Sequence, residues 1–517
     1  MDGRQPAAAT SATGASGSAV AARRVARNSL LPFVANLAGR AMAIVTAAVM
    51  ARTLGATGTG LYAVAVNLWL YASIVADFGL GTWLTREVAR LAGGGTDEGQ
   101  YPARARQTVA DVLGLRLVLG ALALPVLLLG ALVAGSVQGT GPDAVLLATV
   151  ALLGLGLLPG AVGAAGTAVF NAYEEMTFPA AVQLVTAAAT SAGGVVLLLL
   201  GFDVVALGWI SLVANLGTAA VFAIACARRF FPLRVNFSPT RQLALARDAF
   251  PLMLNSLLNN VFFRFDVQVL QSKGTAVVGY YANAYKVIDA AGAIPSSFVL
   301  ALFPLLARRA GGSGGAGFER VYHLGAKLLV ATALAIALPV TYLAGEIVRW
   351  LWGPAFLPDS AVALRILIWF LPLSFFNGLT QYVLIAIGRQ SRITLAFAAA
   401  ALCNVGANLL LIPRYGYVAA AAVTIASEVV LLVPFLFALR GRVAAGPVLR
   451  AALRPAPAAA GAGLLLWVAR DATEPLRFLL AVMAGAGYLA LLFAIGVFDP
   501  AERRVLVSLL PARLRPA

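Results

Sequence analysis

The chain reads as an all-α polytopic membrane protein of about fourteen transmembrane helices, arranged as two pseudo-twofold six-helix lobes plus two C-terminal helices. Three observations predict this. Of 517 residues, 61% are hydrophobic and only 11% charged, and a mean hydropathy of +0.88 lies outside the range of water-soluble domains. Fourteen apolar runs are long enough to cross about 30 Å of hydrocarbon. The first two runs are also repeated, 219 residues later, by the seventh and eighth.

The runs fall at 29–51, 60–82, 109–134, 143–171, 177–200 and 203–227, then at 247–271, 277–307, 320–346, 357–387, 391–412 and 415–439, and finally at 451–470 and 475–498. They set the expected organisation: a disordered cytoplasmic tail over 1–28, an N-lobe over 29–227, a cytoplasmic linker over 228–246, a C-lobe over 247–439, helices 13 and 14 over 440–498, and a cytoplasmic tail over 499–517. The first run follows Arg23, Arg24 and Arg27 as a signal peptide would. It is 23 residues long, contains Arg40 and lacks a small-residue cleavage site, so it is read as a membrane span. The thirteenth run is the weakest, because Arg454, Pro455 and Pro457 interrupt its start, and whether 451–470 fully spans stays open.

The formal charge of +17 does not point to nucleic acid, because the basic residues are scattered through loops. They orient the chain instead. With the N-terminus inside, inner segments and tails hold 26 of the 38 Lys and Arg, outer loops hold six, and six lie within spans. That asymmetry predicts both termini in the cytoplasm of a multi-pass cell inner-membrane protein. No loop is long enough to fold as a catalytic domain. Cys226 and Cys403 both lie in apolar runs and His323 has no partner at ligand spacing, so no disulfide framework or metal site is expected.

The repeat pairs Pro32 with Pro251, Asn36 with Asn255, Gly55 with Gly274, Gly60 with Gly279 and Tyr62 with Tyr281. Six spans separate the copies, so both have the same orientation, which predicts two bundles related by an axis along the membrane normal.

The seventh and eighth spans carry the most costly residues. Thirteen large apolar residues between Phe250 and Leu270 return about 0.3–0.6 kcal/mol each, and barely offset the roughly 2.5–3.5 kcal/mol charged for each of Arg264 and Asp266. Lys286 and Asp289 follow on the eighth span. At 100° per residue, Asn255, Asn259 and Asp266 share one stripe of the seventh helix, and Asn260, Arg264, Gln268 and Gln271 lie nearly opposite. One stripe is expected to face a central cavity and the other the interior of its own lobe; which does which stays open. The repeat maps Asn36 and Arg40 onto the Asp266 side, which would set Arg40 and Asp266 on opposite cavity walls. The structural alternative is a neutral cluster pairing Arg264 with Asp289 and Asp266 with Lys286.

The stretch ARTLGATGTGLYAVAV followed by ADFGLGTWLTREVAR (Ala76 to Arg90) resembles bacterial Wzx-type oligosaccharide and polysaccharide flippases, a branch of the multidrug/oligosaccharidyl-lipid/polysaccharide (MOP) exporter superfamily. The resemblance implies a MATE-like fold with a central cavity open alternately to each face, and a flippase that moves an undecaprenyl-pyrophosphate-linked oligosaccharide to the outer leaflet for cell-surface polysaccharide biosynthesis. It implies the lipid bilayer, and glycosyltransferases and a polysaccharide polymerase, as partners. DFGLGT also matches a kinase motif, but no Gly-rich loop, strand lysine or catalytic loop accompanies it.

A diphosphate in a low-dielectric cavity needs cations, and the planar fork of Arg suits phosphate oxygens. The substrate-binding candidates are therefore Arg40, Asn36, Arg264, Lys286, Asn259 and Asn260. Asp266, Asp289, Glu428 and Asp77 are candidates for ion coupling or ion pairing. No cofactor is expected, and coupling to a proton or sodium gradient stays open. Arg116, Lys327 and Arg365 lie near helix ends, where snorkelling explains them. A multidrug exporter would favour acidic or aromatic groups over this cationic set. A lipid II flippase needs substrate evidence to separate, and a membrane-embedded polymerase or ligase lacks a visible catalytic constellation here.

Overall fold

The computed structural model describes residues 12–93, 101–137, 143–310 and 315–509. Every regular element among them is helical. The N-lobe contains α1 (Ala12–Asp77), α2 (Leu80–Gly93), α3 (Tyr101–Val137), α4 (Ala144–Leu155), α5 (Leu157–Ala172), α6 (Thr177–Leu199) and α7 (Val204–Arg229). In the C-lobe follow α8 (Pro239–Leu270), α9 (Thr275–Ala291), α10 (Ala293–Ala310), α11 (Gly315–Tyr342), α12 (Ala344–Leu351), α13 (Asp359–Leu367), α14 (Phe370–Ala386) and α15 (Gln390–Leu439). The chain closes with α16 (Ala445–Leu453), α17 (Ala456–Val468), α18 (Glu474–Ala494) and α19 (Pro500–Leu509). In place of the expected N-terminal tail, α1 is already helical from Ala12; residues 1–11 and 510–517 lie outside the described residues.

Ten stretches among the described residues are long and apolar enough to cross a membrane. Two of them double back. Helix α1 turns at Gly55 (φ 67) and α15 at Gly416 (φ 59), so each makes two crossings. Helix α8 is of spanning length but falls outside the ten, because Arg264, Asp266 and its asparagines lower its hydropathy, and the α9–α10 pair is long enough to make a further crossing. Counted with them, the crossings match the fourteen expected runs. The thirteenth is built from α16 and α17, and 445–471 are long and apolar enough to span.

Side chains such as Leu122 (62% exposed) and Leu402 (75%) point outward with no protein cover. Such faces would be a liability in water and are ordinary against lipid. Polar helix ends are capped locally: Asp143 accepts from Val145 N at 2.9 Å, and Asp203 accepts from Val205 N at 3.0 Å, satisfying donors that α4 and α7 leave open.

The repeat is visible in the backbone. Gly55 and its equivalent Gly274 both turn the chain with positive φ (67 and 101), a conformation that a side chain disfavours. Five residues further on, Gly60 and Gly279 meet where α1 crosses α9. A Cβ on Gly60 would sit 1.8 Å from the Thr275 carbonyl oxygen, and one on Gly279 would sit 2.1 Å from that of Ala56. Only glycine permits this backbone-on-backbone crossing, and it joins the lobes at the turn end of both hairpins.

Two buried cations correct the snorkelling expectation. Arg116 is 2% exposed and forms an ion pair with Asp77, while Lys327 is buried against Glu502 of α19 at 2.8 Å. Their partners lie on separate elements, so spacing along the chain could not reveal them. Arg365 is exposed, as expected.

Candidate functional site

The charged centre of the site is built from three helices. Helix α8 supplies Arg264, whose Nη2 donates to both carboxylate oxygens of Asp289 on α9 at 2.9 Å. The same guanidinium lies 4.6 Å from the centroid of the Tyr285 ring, one turn before Asp289, so the cation has an acid and a π face together. From the N-lobe, α1 supplies Arg40. Its Nε donates to Asn36 Oδ1 at 2.9 Å and its Nη1 donates to the main-chain carbonyl of Asp289. Asp289 thus holds both arginines, one by its side chain and one by its backbone.

Arg40, Arg264 and Asp289 line a cavity of about 420 Å³. Its other walls are aromatic (Phe263, Tyr285, Phe370, Phe375 and Tyr382), with Asn260, Ser374 and Gln381 as polar points. Two guanidiniums facing one carboxylate leave an excess positive charge, which suits an anionic group flanked by apolar or ring surfaces. Behind this wall lies a second cavity of about 390 Å³, bordered again by Arg264, Tyr285 and Asp289. Lys286 opens into it, amid the hydroxyl or amide groups of Thr46, Thr59, Asn67, Thr190, Ser191 and Ser211.

The Arg264 stripe of α8 therefore faces the lobe interface. Gln268 Nε2 reaches Asn67 Oδ1 of the N-lobe at 3.2 Å, and Asn260 lines the first cavity. The Asp266 stripe turns into the C-lobe. Asp266 is 3% exposed, receives the Tyr281 hydroxyl and the Val267 N–H, and lies 3.5 Å from the Thr424 hydroxyl. This overturns both the Arg40–Asp266 opposition and the Asp266–Lys286 pair. Helical phase states where a Cβ points, but the long Arg40 side chain reaches round to α9, and the hydroxyls of Tyr281 and Thr424 supply the donors that Asp266 would have needed from Lys286. The Arg264–Asp289 pair is formed.

Other candidates lie apart from the cavities. Glu428 is 1% exposed and accepts from Asn377 Nδ2 at 2.6 Å within the C-lobe. Asp77 borders neither cavity; it accepts from Nη2 of Arg116, whose Nε and Nη1 have no hydrogen-bond partner among the described residues. Asn259 is half-buried on α8 outside both linings, and Asn36 acts through Arg40. Tyr285, Tyr382 and Gln381 line the cavity without being among the residues the sequence marks as candidates. Tyr285 carried a signal, lying next to Lys286 and one turn from Asp289, whereas α14 offers none.

Residues 25–309, more than half of the chain, match the family described as Polysaccharide biosynthesis protein. The chain belongs to that family. A second description, MatE, matches residues 251–410 of this polysaccharide biosynthesis protein. Among solved structures it is similar to a lipid II flippase, MurJ, in an inward closed conformation, with a TM-score of 0.70 at 13% identity over 90% of this chain and 99% of that one. It is also similar to an inward-facing multidrug resistance MATE family transporter of the MOP superfamily, with a TM-score of 0.57 at 17% identity over 79% and 93% of the two chains. A MOP superfamily transporter from Pyrococcus furiosus gives 0.51 at 15% identity over 80% and 94%. Among curated proteins no sequence match is found. At these identities the structures establish the fold alone, and the family assigns the chain to polysaccharide biosynthesis.

Proposed function

We propose that this protein moves a polyprenyl-diphosphate-linked oligosaccharide, of the undecaprenyl type, across the cytoplasmic membrane by alternating access. The observation that carries the reading is the convergence of Arg40 from one lobe and Arg264 from the other on a single aromatic-walled cavity. Two forked cations answer the diphosphate, ring faces answer sugar or the first isoprene units, and the lipid tail stays in hydrocarbon. Because each lobe contributes one cation, sliding one lobe on the other changes the face to which the pair is open. Asp266, buried with hydroxyl partners and no ion pair among the described residues, is the carboxylate best suited to exchange a proton or sodium ion with the gradient.

The test is translocation of a fluorescent undecaprenyl-diphosphate-linked sugar in proteoliposomes. Wild-type protein should carry it and leave the corresponding neutral undecaprenyl glycoside behind. Equal transport of both, or glycan polymerisation by the purified protein, removes the proposal. A lipid II flippase is the second reading, favoured by the 0.70 structural likeness; competition between lipid II and a lipid-linked sugar without peptide separates the two.

A further inference from the structure

In the structure, Asp289 stands where an anionic ligand of the cavity would have to stand. It takes the Nη2 of Arg264 on both of its oxygens at 2.9 Å and holds Arg40 on its carbonyl. A diphosphate entering beside these arginines meets cations that already have a partner. The pair is not sealed: the Arg264 side chain is 30% exposed and that of Asp289 36%, and both border open volume on two sides. Screening there keeps the pair weaker than a fully buried one, so exchange is cheap compared with breaking a dry ion pair.

A displaced carboxylate still needs a cation. Lys286 lies three residues earlier on the same face of α9, the spacing at which helical side chains meet. It makes no hydrogen bond or ion pair among the described residues, and it lines the second cavity together with Asp289. We infer that Asp289 is a resident counter-ion which the substrate's diphosphate displaces from Arg264 and which Lys286 then receives. Binding is on this view a salt-bridge exchange, from a pair between α8 and α9 to a pair within α9. The inference rests on the diphosphate reading above. It also gives binding a mechanical consequence, because α9 carries Gly279 at the lobe crossing, and the Arg40–Asp289 contact joins the lobes along the same helix.

A double-mutant cycle on the full chain in nanodiscs tests this, with undecaprenyl diphosphate as the probe and undecaprenol as control. Asp289→Asn removes the competitor and should tighten diphosphate binding about tenfold while slowing translocation, and Lys286→Gln should weaken binding about five- to tenfold in the wild-type background but less than about twofold in the Asp289→Asn background. Asp289→Glu keeps the competing charge and should bind as wild type. If Asp289→Asn does not fold, Asp289→Ser takes its place in the cycle. Equal weakening by Lys286→Gln in both backgrounds would mean that the lysine touches the diphosphate directly, and the exchange would be wrong. Unchanged affinity in Asp289→Asn would also reject it. Wild-type protein that binds undecaprenyl diphosphate no better than undecaprenol rejects the diphosphate reading itself, and the exchange with it.

Discussion

Arg40 and Arg264 reach the same cavity from different lobes, so their loss should act on transport and leave the fold standing. Arg40→Gln and Arg264→Gln are each expected to abolish complementation of a flippase-null strain at unchanged protein level; loss of the protein itself would instead assign the arginines to structure. Asp77 and Arg116 behave in the opposite way. Arg116 is 2% exposed whereas Asp77 is 46% exposed, so the two halves of this pair are unequal. Removing one partner of a fully buried pair costs about 3–5 kcal/mol, and Asp77→Asn, which strands the buried guanidinium, should approach the lower end of that range. Arg116→Met leaves a carboxylate that water can reach and should cost clearly less. Thermal melting in detergent would show the order, and equal losses would contradict it. For Asp266, burial among hydroxyl and main-chain N–H donors with no ion pair among the described residues predicts that Asp266→Asn binds substrate normally yet no longer responds to an imposed proton or sodium gradient. A retained gradient response would clear Asp266 of coupling.

At the scale of elements, the hairpins α1 and α8–α9 show what could and could not be read in advance. The Gly55–Gly274 and Gly60–Gly279 equivalences were legible because a turn with positive φ and a backbone crossing both demand glycine, a demand that acts on single positions. The two stripes of α8 were legible as a division but not as an assignment. Direction depended on partners from elsewhere, namely Tyr281 and Thr424 for Asp266 and Asn67 for Gln268. The aromatic wall from α14 was invisible for the same reason, since its Phe residues look like any buried apolar face. The glycine crossing itself yields a prediction. With a Cβ built only 1.8 Å from the Thr275 carbonyl oxygen, Gly60→Val cannot be absorbed by a rotamer change and must push α1 and α9 apart. In a background freed of Cys226 and Cys403, the pair Ala56→Cys and Thr275→Cys should cross-link readily, and Gly60→Val should sharply reduce that cross-link. An undiminished yield would show that the crossing is not a point of closure.

Across the whole molecule, topology depends on an even number of crossings and on where the positive charge lies. Two glycine-bent helices and the charged hairpin raise the ten apolar stretches to fourteen crossings among the described residues, an even count that predicts both termini on one side of the membrane. The side is then set by the basic residues. Segments facing the terminal side hold most of the chain's arginines, including Arg86 and Arg90 after the second crossing, Arg228 and Arg229 at the end of the sixth, and Arg440 and Arg442 after the twelfth. The opposite loops hold isolated ones such as Lys273 and Arg414. Since Lys and Arg are retained on the cytoplasmic side, both termini should be cytoplasmic, and the Gly60–Gly279 crossing should close the cavity toward the outside. Some of this charge is committed to ion pairs: Arg229 bonds Glu175 at 2.7 Å and Arg90 bonds Glu87 at 2.5 Å. The orientation rule counts Lys and Arg with little regard for acids, so these pairs do not weaken it. Single cysteines should therefore be labelled by an impermeant maleimide in intact cells at Lys273→Cys, while Arg442→Cys is labelled only after the membrane is opened. The reverse pattern would invert the transporter, and with it the direction of flipping that the proposed substrate requires.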